Sequence, residues 1–368
     1  MERRKTSLGE IIQFKNGKKR PVNEGAIPVY GGNGILGYAA DSNYDRCVII
    51  GRVGAYCGSV YYEENACWVS DNAIAALPKS GTDIVYAYYL LKGLNLNKRH
   101  IGTSQPLLTQ EILNRIECRM PSLAEQEQIG AVLWAIDQKI NLNNKINDKL
   151  YAQARAITNQ WITENDSDYE LLPLNEVAVI NPDTYSPKEE WKYVNYLDTS
   201  SITDGCIAEI QRSSPSTEKL PSRARRKIVS NDVVFSTVRP NQRHFGIISE
   251  PLPNMLASTG FAVIRSKNPL VCNELIYLCL TDDAFIEKMQ QLAEQSTSTF
   301  PSIKPSDLGV CEIPCPKDDS SSSLTETLKA MFSLIAANHR ENASLAELRD
   351  SLLPRLMSGE IDVSDIQI

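Results

Sequence analysis

Two stretches of this 368-residue sequence repeat each other without a gap at an offset of 195 residues. Residues 106–121, PLLTQEILNRIECRMP, align on 301–316, PSIKPSDLGVCEIPCP, with the end prolines matched and Leu113 falling on Leu308. The register continues into an apolar pattern that steps alternately by four and three: Ile129, Leu133, Ile136, Ile140, Asn143, Asn147, Leu150, Ala154, Ile157 and Trp161. The same offset gives Leu324, Leu328, Met331, Ile335, Asn338, Asn342, Leu345, Arg349, Leu352 and Leu356. Such stepping marks the seam of a helix that packs on another helix. Nine of the ten positions keep their character, and the tenth exchanges Ala154 for Arg349. Self-similarity of this length means that the chain is written as two copies of one unit.

Upstream of each helix the copies match more loosely. LGEII from Leu8 is like LNEVA from Leu174, and CVIIGRVGAYCG (47–58) is like DVVFSTVRPNQRHFG (232–246), each a short apolar strand followed by a basic, Gly- or Pro-punctuated loop. DNAIAALP (71–78) and TGFAVIRS (259–266) read as further strands, IVYAYYLLKG (84–93) and ELIYLCLTD (274–282) as short helices. Ser122 with Glu125, and Ser323 with Glu326, have capping-box spacing at the long-helix starts, and Pro354 should bend or end the second helix. The expected fold is α+β. Two mixed α/β domains, 1–121 and 166–318, are separated by two long helices, 122–165 and 319–360, with a tail at 361–368. If the helices fold back side by side, they form an antiparallel coiled coil with a pseudo-twofold axis near its middle.

Asn143 and Asn147 straddle the centre of the first helix and would then face Asn342 and Asn338. A buried amide pair lowers stability but penalises slipped registers, which would set amide against leucine. The alternative is that Leu142 and Ile146 pack while the asparagines face water. In either case 33 residues of helix make a spacer of roughly 50 Å. A spacer holding two similar but non-identical units suits a bipartite linear target, and duplex DNA is one, because paired half-sites are read by twofold arrangements at fixed spacing.

The net charge of −7 excludes a wholly basic coat but not local basic faces. Positive charge gathers at 3–5, 15–20, 98–100, 223–227 and 239–244. The nine cysteines are scattered, without a C-x-x-C pair, and only three histidines accompany them, so no zinc site is visible and buried free thiols are expected. No apolar run approaches the ~18 residues of a membrane span, and the polar start MERRKTSLGE lacks a signal-peptide core, so the chain reads as cytoplasmic. Chemistry is sparse. NPDT at Asn181 lacks the second proline and aromatic of an amino-methyltransferase loop, and GxxxxGK(S/T) is absent. Pro182–Asp183 followed by Glu190-Trp191-Lys192 has the PD…(D/E)xK order of Mg²⁺ nucleases, but Pro187 interrupts it and the other copy has nothing comparable.

In combination, these features resemble the specificity subunit of type I restriction–modification systems over essentially the whole length. The signs are the closing loops GTSQPLL (102–108) and QSTSTFPSI (295–303), the helix entry RMPSLAEQEQI (119–129), the loop TVRPNQRHFG and the ending LLPRLMSGEIDV (352–363). At the second helix entry PKDDSSSS departs from the pattern. The resemblance implies a non-catalytic reader of double-stranded DNA with two target-recognition domains. Two adenine-N6 methyltransferase subunits would dock on the helices, and a restriction subunit would join them. S-adenosylmethionine would then bind the methyltransferase, ATP and Mg²⁺ the restriction subunit, and no cofactor this chain. The rival readings are a degenerate nuclease and a structural coiled-coil scaffold. Contact chemistry selects the candidate DNA-binding residues, since Arg and Lys meet phosphate or guanine and Asn and Gln meet adenine. They are Lys18, Lys19, Arg20, Asn33, Arg52, Tyr56, Ser104 and Gln105 in the first domain, and Arg223, Arg225, Arg226, Arg239, Asn241, Gln242, Arg243 and Thr299 in the second.

Overall fold

The computed structural model describes residues 3–102, 105–164, 168–296, 300–318 and 322–363. It divides into two compact units, one of residues 1–142 with 341–368 and one of residues 143–340. This differs from a division at the helix ends. The two long helices, Leu123–Glu164 and Ser322–Ser358, are each shared, because each helix half packs on the globe of its own unit. At 1.5 Å per residue their 42 and 37 residues reach about 60 and 55 Å.

In unit 1 an antiparallel four-stranded sheet runs in the order Ile12–Asn16, Ala73–Pro78, Cys47–Gly51, Val60–Glu63. The strand Cys47–Gly51 is apolar at every position because both of its faces are covered. Val48 and Ile50 join a core with the helix Ile84–Gly93 and the long-helix residues Ile129, Leu133 and Leu356. Cys47 and Ile49 join a second core with Tyr30, Cys67 and Val69, beneath a smaller sheet of Gly34–Ala39, Ile27–Gly31 and Trp68–Val69. In that smaller sheet Ile27–Gly31 lies antiparallel to Gly34–Ala39 and parallel to Trp68–Val69. A two-stranded ribbon, Arg4–Ser7 with Glu117–Met120, closes the unit.

Unit 2 repeats the four-stranded sheet and the ribbon of this plan and enlarges the smaller sheet. Its four-stranded sheet is ordered Ala178–Ile180, Phe261–Ser266, Asp232–Ser236, Phe245–Ile248, and its ribbon pairs Tyr169–Pro173 with Glu312–Pro316. Val233 and Phe235 face the helix side, Val234 the smaller-sheet side. The parallel pair is now Val194–Leu197 with Met255–Ser258, to which Gln211–Ser213 and Ala224–Lys227 add outer strands. The extra chain that builds the second outer strand and a hairpin (Ile202–Thr203 with Cys206–Ile207) lies between Leu197 and Asp232.

The helix halves run antiparallel in both units. In unit 1 Lys139 pairs with Glu341 at 3.1 Å and Asp137 with Arg349 at 2.6 Å. In unit 2 Asn338 Nδ2 donates to Asn147 Oδ1 at 2.7 Å and Tyr151 meets Phe332 edge-on. Asn143 and Asn147 are buried and Leu142 is half exposed, so the amides occupy the seam and the alternative with water-facing asparagines does not hold.

The helix ends differ from expectation. Ser122 Oγ accepts from Glu125 N at 3.3 Å, but the Glu125 carboxylate turns to Arg3, so the box is only half made. Ser323 lies inside the second helix, where its carbonyl accepts from Thr327 Oγ1, and Pro354 is passed without a break because its exposed last turn lets water take the freed carbonyl. The helix stops at Gly359, whose φ of +81° favours glycine. There Arg3, its side chain nearly buried, donates to the carbonyls of Leu356 (2.8 Å) and Met357 and pairs with Glu125. A cation at a helix C-terminus is favoured by the unsatisfied carbonyls and the dipole. All nine cysteines are free; Cys206 is exposed and Cys118 and Cys279 are half-buried, which corrects the expectation of burial for these three.

Candidate nucleic-acid interface

Beyond the end of Cys47–Gly51 the chain leaves the sheet and is clasped by three backbone hydrogen bonds. Arg52 N donates to Asn72 O (2.9 Å), Leu108 N to Arg52 O (2.9 Å) and Gly54 N to Pro106 O (3.1 Å), with a bridge between Val53 and Leu107. Unit 2 makes the same clasp beyond Asp232–Ser236. Thr237 N donates to Gly260 O (2.8 Å), Ile303 N to Thr237 O (2.9 Å) and Arg239 N to Pro301 O (2.9 Å), with a bridge between Val238 and Ser302. The matched residues Pro106 and Pro301 therefore occupy one structural position, and in each unit the closing loop is tied to the basic loop.

In unit 1 this gathers most of the candidates. Exposed Tyr56 lies on the clasped loop with half-exposed Arg52, and exposed Gln105 lies on the closing segment. Ser59 Oγ, on the same loop, donates to Gly32 O at 2.5 Å and holds the hairpin tip that carries exposed Asn33. A Cβ at Gly17 would fall 1.9 Å from Ser70 O, and this close approach sets Lys18, Lys19 and Arg20, all exposed, beside the Ser70–Asn72 turn. Ser104 and Thr299 lie outside the described residues.

Unit 2 treats its arginines unequally. Arg223 is exposed and its carbonyl accepts from Thr259 N, beside the clasp. Arg225 and Arg226 sit in the strand Ala224–Lys227 and are half buried. Arg225 lines a cavity of about 750 Å³ with Tyr185, Trp191 and Lys192, and burial pushes the pKa of the Arg226 guanidinium down. Arg239 and Arg243 flank the turn Pro240–Gln242 with φ of +48° and +57°. Left-handed arginines are rare and costly, and two in one loop mark a backbone held in place by its surroundings. Asn241 N donates to Gln290 Oε1, while the Asn241 and Gln242 side chains are exposed. The Arg239 guanidinium lies 4.8 Å over the Phe300 ring, which orients it without neutralising it. Arg243 is different. It bonds Asp204 at 2.6 Å and Asp283 at 2.8 Å, hydrogen bonds that raise its pKa, so its charge is spent on holding the loop.

Asp204, Asp283 and Gln290 come from remote segments and have no local sequence signal. Phe300 was within reach, since it sits at the offset from Gln105. The PD…EWK residues form no cluster: Asp183 is paired with Arg265 at 3.0 Å, whereas Glu190 and Lys192 line the cavity around Trp191. Among the described residues no group of three or more His, Cys, Asp or Glu could hold a metal, and no helix is long and apolar enough to cross a membrane.

A family model described as "Type I restriction modification DNA specificity domain" matches residues 2–152. The chain is similar to type I specificity subunits. It is 29% identical over 168 residues to the EcoprrI specificity subunit of Escherichia coli, covering 43% of this chain and 42% of that one, so the match spans less than half the length of that relative. It is 23% identical over 318 residues to the MjaIX specificity subunit of Methanocaldococcus jannaschii, covering 79% and 72%. A crystal structure of a type I S subunit from M. genitalium superposes over 96% of this chain and 95% of that one, with a TM-score of 0.61 at 16% identity, and so shares the fold. The first-domain candidates all fall inside the matched specificity domain.

Proposed function

We propose that this chain is the sequence-reading subunit of a type I restriction–modification complex and binds an asymmetric, bipartite duplex site with an unread gap. The observation that carries the reading is the clasp made identically in both units but filled with different residues, Arg52 and Tyr56 in one, Arg239, Asn241 and Gln242 in the other. Equal mounting with unequal side chains gives two unlike half-sites. Arg223, Lys18, Lys19 and Arg20 supply phosphate contacts, and Arg243 supports its loop. The chain itself is non-catalytic and cytoplasmic. Two adenine methyltransferase subunits, carrying S-adenosylmethionine, dock along the long helices, and a restriction subunit brings ATP and Mg²⁺ chemistry. Methylation mapping tests this. Exchanging residues 1–121 for the first domain of another specificity subunit should change one half-site and leave the other half and the gap alone. Arg52→Ala and Arg239→Ala should each weaken binding through their own half-site by about 1–3 kcal/mol. A palindromic site, or a chimera altering both halves, sinks the reading.

The seam amides set the register of the helix pair, and so the gap. The support is the burial of Asn143, Asn147 and Asn338 and the 2.7 Å bond between Asn338 and Asn147. Replacing these three and Asn342 by leucine should raise the melting temperature by about 2–4 °C for each kcal/mol gained while relaxing discrimination between gap lengths. Unchanged strictness for the gap in the quadruple variant would remove this role.

A further inference from the structure

The hairpin of Ile27–Gly31 and Gly34–Ala39 presents its second strand as the open edge of the smaller sheet in unit 1. Edge strands are normally guarded by charge. This one exposes Ile35, Leu36 and Tyr38, at 48, 43 and 55%. The register shifts between Val29 and Tyr30, and the bulge lets the consecutive Ile35 and Leu36 both reach solvent where a regular strand would bury one. Cations frame the edge instead of lying on it. Of the exposed run Lys18–Arg20, Arg20 reaches it, its Nη1 donating to Leu36 O at 3.1 Å, while Lys18 bridges Ser70 at the opposite side of the smaller sheet. On its other side the Ser59–Gly32 bond fastens the hairpin tip to the loop of Arg52 and Tyr56.

An apolar edge reached by the Arg20 guanidinium and fastened at its tip to the loop of Arg52 and Tyr56 fits a polyanion with an apolar interior. We propose that Ile35 and Leu36 form a wedge that enters the duplex and unstacks one base step of the half-site read by unit 1, with Lys18–Arg20 on the flanking phosphates. This rests on the DNA-reading function above. Apolar wedges of Ile and Leu kink a duplex at the expense of a few kcal/mol of stacking, least at flexible pyrimidine–purine steps, so the wedge adds readout of deformability to readout of base edges. The corresponding outer strand of unit 2, Gln211–Ser213, carries Gln211 and Arg212, the latter stacked 4.4 Å over Tyr193, so the device belongs to one half-site alone.

The test uses the full chain with its methyltransferase partner on duplexes bearing the site defined by methylation mapping. Each adenine of the first half-site is replaced in turn by 2-aminopurine, which brightens when unstacked. Apart from the target adenine, which a methyltransferase extrudes for its own chemistry, one position should brighten on binding of the wild type and stay dark with Ile35→Ser/Leu36→Ser. That variant should bind about tenfold more weakly with an unchanged salt slope, because no phosphate contact is lost. Saturated, sequence-specific binding with every position except the target adenine dark overturns the wedge while leaving the DNA reading intact. Loss of the methyltransferase from the serine variant, with DNA contacts unchanged, makes the edge a protein-docking surface and also overturns it. Absence of any sequence preference in the wild type is failure of the DNA reading itself.

Discussion

Arg349→Ala is expected to destabilise unit 1 by about 3 kcal/mol, read as a drop in its melting transition of roughly 6–12 °C. Arg349 is the one position where the helix repeat breaks, standing where the first helix has Ala154. Its guanidinium meets Asp137 at 2.6 Å with both side chains mostly buried, and Tyr89 donates its hydroxyl to the other Asp137 oxygen at 2.6 Å. In unit 2 the offset positions are Ala154 and Phe332, which join one apolar core with Tyr277, the Tyr277 and Phe332 rings packed edge to face. The two units thus solve one packing position in two ways. Removing only the arginine leaves a buried carboxylate without its cation, which costs far more than the pair itself contributes. Converting the whole set, Arg349→Ala, Asp137→Phe and Tyr89→Phe, should recover most of the loss. Thermal melts of the single and triple variants decide the matter; a triple variant as unstable as the single one means that the positions are not equivalent.

Asp232→Ala should cost unit 2 a similar amount, about 3 kcal/mol. Asp232 is fully buried and held by a fork from Arg265 at 2.8 and 2.9 Å, with Val229 N donating to it as well. Asp232 opens its strand opposite Arg265, one pair beyond the Val233–Ile264 pairing. In unit 1 the same cross-strand place, one pair beyond Val48–Ala76, holds Cys47 and Leu77 in an apolar cluster. Here unit 2 is ionic and unit 1 greasy, the reverse of the helix seam. Asp232→Cys with Arg265→Leu should therefore melt close to the wild type. Arg265 also reaches Asp183 on the surface, but that carboxylate is half exposed and water can serve it. A double variant no better than Asp232→Ala would show that the fork also orders the surrounding loops.

The legible parts of this chain were those where one periodicity repeats at a fixed offset. The helix seam with its four asparagines and the closing segments 106–121 and 301–316 read directly, because helices tolerate no insertion without losing their stripe. The globes were harder. Between Leu197 and Asp232 unit 2 carries chain that unit 1 lacks, so alignment slides and the shared strand order emerges only from hydrogen bonding. The basic runs misled for a local reason. In 223–227 a strand whose register shifts between Ala224 and Arg226 half buries both Arg225 and Arg226 beside exposed Arg223, and in 239–243 two carboxylates from remote segments neutralise Arg243 while Phe300 leaves Arg239 charged. Sequence separation hides such partners.

The grip of Arg3 on Leu356 and Met357 has a consequence for the order in which the molecule comes into being. Residues 143–340 form one unbroken unit, but unit 1 needs both residues 1–142 and the segment from 341 onward. At about 5–20 residues per second, the ribosome takes roughly 10–40 s to make the intervening stretch. During that interval Ile129 and Leu133 lack Leu356, and the helix that Arg3 will cap does not yet exist. The unit whose sheet is synthesised first is thus the one that finishes last, and a nascent chain stalled before residue 341 would display a bare apolar stripe beside a completed neighbour.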